Sequence, residues 1–276
     1  LAFKGCSFAE RIIVPDSVKE IGFNAFEDCK SITEISIPPD LLKIESFLFS
    51  GCSLLRNIVI PSSVISIGKC SFKGCSSLTH VIIPQSVIEI GESSFEDCTS
   101  LTEIIIPLSV TYIGACTFKN NHSLKKINLP CCLKFIGEYT FYKCSSLIKI
   151  EISSTVTNIG DYCFYNCSKL KQISIPSNLK SLGNFVFAEC ISLEKIIIPS
   201  SVEQIGFNAF NKCSSLIEII LPSELNEIKS STFSGCTNLK HIRIPSSVTK
   251  IEDLAFNRCF SLKRISIPYS VNSIES

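Results

Sequence analysis

Sixteen cysteines and three histidines are the residues of this 276-residue chain with the most chemistry available to them. Thiols pair as disulfides, ligate zinc or attack as nucleophiles, and each role needs its own spacing. Here the spacing is periodic. Eleven cysteines, from Cys6 to Cys259, recur every 23 residues, with Asn121 in the one gap. Stacked units would place neighbours in such a column about 5 Å apart, within reach of a disulfide. The same column reads as small side chains lining a core, and we expect these thiols to be reduced, as buried free cysteine usually is. No Cys-x-x-Cys pair occurs, and Cys75 and His80 are predicted to point to opposite sides of the chain, so no metal site is expected. His80 and His241 share a phase but lie seven repeats apart, about 34 Å by the stacking distance. With no nucleophile, base and orienting carboxylate to assemble and no Gly-rich phosphate loop, neither an enzyme nor a cofactor is predicted. Cys70, Cys116, Cys131, Cys132 and Cys163 fall off the column, at positions predicted to be exposed and open to oxidation or cross-linking.

The elements that carry these residues repeat with the same period. The length is 12 × 23, and 11 of 12 prolines and 12 of 19 phenylalanines keep the interval, the phenylalanines without a break from Phe3 to Phe256. A period of this length signals a solenoid and argues against two independent globular domains; residues 1–276 read as one repeat domain. Within each unit the pattern L-x-x-I-x-I-P, as in Leu101, Ile104, Ile106 and Pro107, predicts a short strand. Ile104 and Ile106 should face the core, Glu103 and Ile105 the solvent, and proline ends the strand because it has no N–H for a ladder. The spacing I-G-x-x-small-F-x-x-C, as in Ile21, Ala25, Phe26 and Cys29, predicts a turn or two of helix held only by stacking. The expected fold is an α/β repeat solenoid of about twelve units, with a parallel strand ladder on one face and short helical turns on the other.

The repeat I-P-S-S-V-x-x-I-G-x-x-x-F-x-x-C-x-S-L-x-x-I-x-I-P resembles the BspA-like, Treponema-type leucine-rich repeat, and residues 198 to 219 match it almost throughout. The resemblance spans the chain and departs from the pattern at Asn121, Cys131-Cys132 and Ser153. It implies a surface protein that binds host or matrix proteins. Methionine is absent and Leu1 already stands in register, so the initiator and any leader or anchor are expected outside these residues. No apolar run is long enough for a membrane-spanning helix, and a net charge of +1 argues against nucleic acid as the partner.

Binding must then use the columns that the fold leaves free. On the outer strand face, positions four, five and seven after the column cysteine carry 11 cations and 6 carboxylates, +5 in all, and from Lys125 onward 9 and 3, or +6. Lys126, Lys149, Lys195, Arg243 and Arg264 are candidate contacts for an acidic protein partner, with solubility of the sheet as the alternative role. Val59, Ile82, Ile105, Ile197 and Ile220 are predicted to point outward on the same face, as contact stripes or simply as good strand formers. Tyr139, Tyr142, Tyr162 and Tyr165, extended by Phe185, occupy two adjoining columns that are polar elsewhere, as at Asn24 and Ser93. They predict an exposed aromatic patch. The sequence thus points to a non-catalytic adhesion module at the cell surface or secreted, with an intracellular interaction scaffold and a glycosaminoglycan-binding module as alternatives.

Overall fold

The computed structural model describes residues 1–276 as two compact units, Leu1–Leu133 and Lys134–Ser276. Each is a β-solenoid whose coils repeat the same three segments. The first segment is a three-residue strand. In the first unit, Asn57–Val59, His80–Ile82, Glu103–Ile105 and Lys126–Asn128 stack in this way, parallel and in register wherever neighbours pair. In the second, Lys149–Glu151 pairs with Gln172–Ser174, and Lys195–Ile197 with Glu218–Ile220. The central residue of each points inward and its neighbours outward, as period-two alternation requires. Ile104 and Ile106 are buried, and Glu103 and Ile105 exposed, as the sequence predicts.

Each proline closes this strand and opens a tight turn. In the first unit the carbonyls of Pro61, Pro84 and Pro107 accept from the N–H of Val64, Val87 and Val110, 3.1 Å away in each case. A second ladder follows that the sequence pattern does not announce. Lys43–Ile44, Ser66–Ile67, Glu89–Ile90 and Tyr112–Ile113 form a four-stranded parallel sheet in the first unit. Phe135–Ile136, Asn158–Ile159, Ser181–Leu182 and Gln204–Ile205 form its counterpart in the second. Glycine follows because the coils touch there: a Cβ on Gly91 would lie 2.7 Å from the Gly68 carbonyl carbon and the Lys69 nitrogen.

The third segment corrects the expectation of short helical turns, because the chain contains no helix. Two columns of residues with positive φ run through it at the repeat interval, one from Asn24 to Leu254 and one from Gly5 to Arg258. A left-handed residue every fourth position breaks any helical run. The backbone donors then alternate between two kinds of partner. Ala25, Glu27 and Cys29 donate to the carbonyls of Gly22, Asn24 and Phe26, while Asn24, Phe26 and Asp28 donate to Ser46, Leu48 and Ser50 of the next coil. Half of the N–H groups that a helix would consume therefore bind successive coils together. The apolar spacing does mark a buried face, since Ile21, Ala25, Phe26 and Cys29 all lie in the core. The phenylalanines stack along that core in both units, as between Phe72 and Phe95 at 5.2 Å and Phe164 and Phe187 at 5.4 Å.

Candidate interaction surfaces

On the strand face of the first unit, register places Val59 beside Ile82 and Ile82 beside Ile105, exposed by 78%, 77% and 70%. In the second unit Ile197 and Ile220 are neighbours, exposed by 54% and 45%. The predicted cations are on this face too, but two of them are already engaged. Lys149 Nζ lies 2.6 Å from Glu151 and Lys195 Nζ 2.6 Å from Glu218, whose carboxyl the lysine holds below its usual pKa. Lys126 stands in register with Glu103. Arg243 and Arg264 line an open groove of about 540 Å³ together with Glu218, Ile220 and His241. His80 and His241 both point outward, and each lies in a different unit.

The five predicted aromatics come together in the second unit, though not as an exposed patch. Tyr139 stacks on Tyr162 at 4.9 Å, Tyr162 on Phe185 at 4.6 Å, and Tyr142 on Tyr165 at 5.0 Å, with the two rows tilted against each other at 5.6 to 5.8 Å. All five are half-buried. Stacking occupies the ring faces and leaves edges to the solvent, a geometry that aromatic pairs favour for their own stability. Burial and the hydrogen bond to Glu189 push the Tyr165 hydroxyl up to about 12. Burial opposes ionisation of Glu189, yet hydrogen bonds from Lys212 and Tyr165 outweigh it and hold the carboxyl below its usual value.

No bridge joins the column cysteines, and the buried thiols among them have a task that the sequence alone did not reveal. Cys52, Cys75 and Cys98 donate to the carbonyls of Phe26, Phe49 and Phe72 at 3.1 to 3.2 Å, and Cys167, Cys190 and Cys213 do the same to Phe141, Phe164 and Phe187. Asn121 fits the gap because its amide donates to the Phe95 carbonyl at 2.8 Å. Of the off-column cysteines, Cys131 and Cys132 are exposed as expected, and Cys116 is half-buried. Cys70 and Cys163 are buried, which corrects the expectation for them; Cys163 shares a core column with Ala209 and Val186.

Sequence reading also missed two features, one on the surface and one buried. Leu42, Ile65 and Ile88 form a further exposed aliphatic column in the first unit, four residues after each proline. Glu96, buried in the same unit, is gripped by Lys73 at 2.9 Å and Lys119 at 3.0 Å.

The BspA type leucine rich repeat region matches residues 1–108, 88–217 and 180–276. The chain belongs to this family. A leucine-rich repeat protein from Bacteroides ovatus is 29% identical with a TM-score of 0.80, over 96% of this chain and 83% of that one. A leucine rich cell surface protein from Faecalibacterium prausnitzii is 30% identical with a TM-score of 0.65, over 97% and 87%. The pneumococcal vaccine antigen PcpA shares the fold at 20% identity and a TM-score of 0.58, over 97% and 79%. No curated protein matches the chain. The BspA-type repeat accounts for the coils; the departures from it, at Asn121, Cys131-Cys132 and Ser153, belong to this chain.

Proposed function

We propose that the chain is a non-catalytic protein-binding module that acts in adhesion at a cell surface and takes an acidic protein partner on its strand face. The observation that carries this reading is the exposure of aliphatic side chains that the core does not use, Val59, Ile82 and Ile105 in the first unit and Ile197 and Ile220 in the second. Strand formation does not require them, because the same column elsewhere holds Ser36, Asn128 and Ser174. Apolar side chains rimmed by charge mark protein contact sites. The cations around them, Lys126 in the first unit and Lys149, Lys195, Arg243 and Arg264 in the second, favour acidic complements. The cell-surface description of the Faecalibacterium protein supports the placement. The aromatic block enters this reading as a brace for the second unit.

Immobilised extracellular-matrix proteins, titrated with the purified chain at low and raised salt, test the proposal. Ile197→Asp with Ile220→Asp should abolish capture, and Arg243→Glu with Arg264→Glu should weaken it and flatten its salt dependence. Capture that survives both pairs, and Ile82→Asp with Ile105→Asp in the first unit as well, would overturn the strand face as the site. Binding to heparin alone, lost in the arginine pair, would assign the face to a glycosaminoglycan instead.

A further inference from the structure

Cys131 and Cys132 are the adjacent thiols of the chain, both exposed in the turn after Pro130, with their sulfurs 4.0 Å apart. Their column has another use in the neighbouring coils. Ser63, Ser86 and Ser109 occupy the Cys132 position there, and each hydroxyl donates to a carbonyl of the preceding coil at 2.6 to 2.7 Å. Cys132 instead sets its sulfur against Cys131. The substitution exchanges a structural hydroxyl for a thiol pair, at a place where the core gains nothing from sulfur.

We propose that Cys131 and Cys132 form a vicinal dithiol that exchanges reversibly with small-molecule disulfides. The Cys131 thiolate attacks one sulfur of a disulfide such as oxidised glutathione; a mixed disulfide forms and one glutathione thiolate leaves. Cys132 then gives its proton to solvent and attacks the Cys131 sulfur, which expels the second glutathione and closes an S–S bond between the neighbours. Two protein thiols are oxidised by two electrons, and the small disulfide is reduced to two thiols. Adjacent Cα atoms lie about 3.8 Å apart, below the usual range for a disulfide, so the bond is strained and readily reduced again. The neighbouring sulfur also pushes the Cys132 thiol up, in keeping with its role as the second, resolving group.

Intact-mass analysis of the native chain in excess oxidised glutathione tests this, with exposed Cys6, whose column neighbour Cys29 is buried and donates to the Phe3 carbonyl, as the comparison thiol. The expected product loses two thiols at Cys131 and Cys132 without retaining glutathione there, while Cys6 keeps one adduct. Cys132→Ser should stop at a stable adduct on Cys131. A monofunctional trivalent arsenical, which needs two thiols, should bind the wild-type chain and neither single variant. Two stable adducts on Cys131 and Cys132, or arsenical binding that persists in the single variants, would overturn the proposal.

Discussion

The thiol-to-carbonyl contact explains why cysteine, and not alanine, holds its column. A buried thiol that reaches the Phe carbonyl of the previous coil adds a second donor to an oxygen that already accepts a backbone N–H, as Phe72 accepts from Cys75, and such a hydrogen bond contributes about 0.5–1.5 kcal/mol. Cys98→Ala should therefore lower stability by more than the lost sulfur volume alone accounts for, while Cys98→Asn should lose less, since Asn121 shows that an amide reaches the same kind of carbonyl. Asn121 carries its own defect: its Oδ1 is buried without a partner. Asn121→Cys should raise stability by about 1–2 kcal/mol, read as a shift of the urea midpoint at constant slope. The column also sets a pH limit. Burial pushes Cys52 and Cys190 from 9.0 up to about 12, so the folded state keeps protons that the unfolded chain releases. Stability is then complete below pH 9 and falls as pH rises toward 12. Alkaline titration followed by circular dichroism should show cooperative loss of structure in that window, and Cys52→Ala with Cys190→Ala should make the decline shallower.

At the scale of the element, the glycine before each arc and the left-handed residues within it decide the coil. Gly91→Ala places a Cβ against backbone atoms of the previous coil, which cannot move aside as a flexible side chain would. Forced separation of this kind costs about 1–3 kcal/mol. Gly74, with φ of +73°, has only Gly51 near the added carbon, at 3.7 Å, so Gly74→Ala should cost only the left-handed penalty of about 1–2 kcal/mol. Equal losses in thermal denaturation would show that coil contact at Gly91 is not limiting. These positions also mark where sequence reading ran out. Ile104, Ile106 and Pro107 made the long strand legible, because alternation and a missing N–H act within a few residues. The helix expected at Ile21 to Cys29 failed because burial at spacings of three and four does not distinguish a helix from a chain of turns. What decides between them is φ at Asn24 and Asp28, and the same columns are filled by Phe47, Tyr139 and Lys143, side chains with no left-handed preference. The ladder of N–H groups between successive coils overrides their local preference. The outward isoleucines at residues 82 and 105 were visible from alternation, whereas the pairing of Lys149 and Lys195 with carboxylates depends on side-chain reach and was not.

At the scale of the whole molecule, the proposed binding function depends on which surface features are spent on stability. The aromatic block of the second unit gives a direct answer. Five stacked or tilted contacts of its tyrosines, each contributing about 0.5–1.5 kcal/mol beyond simple burial, consume the ring faces that a sugar or peptide would need. Tyr165 is further tied to Glu189, which Lys212 holds at 2.8 Å, so the block is anchored across three coils. Changing Tyr139, Tyr142, Tyr162 and Tyr165 together to Ser tests the assignment cleanly, because Ser93 and Ser231 already occupy the Tyr139 column and share its positive φ. The variant should fold but melt at a lower temperature, with a loss of about 2.5–7.5 kcal/mol if the five contacts add. Its capture by matrix proteins below that temperature should match the wild type, since Arg243, Arg264 and Ile220 of the groove are untouched. An unchanged melting temperature with lost capture would reverse the roles and make the ring edges the contact surface.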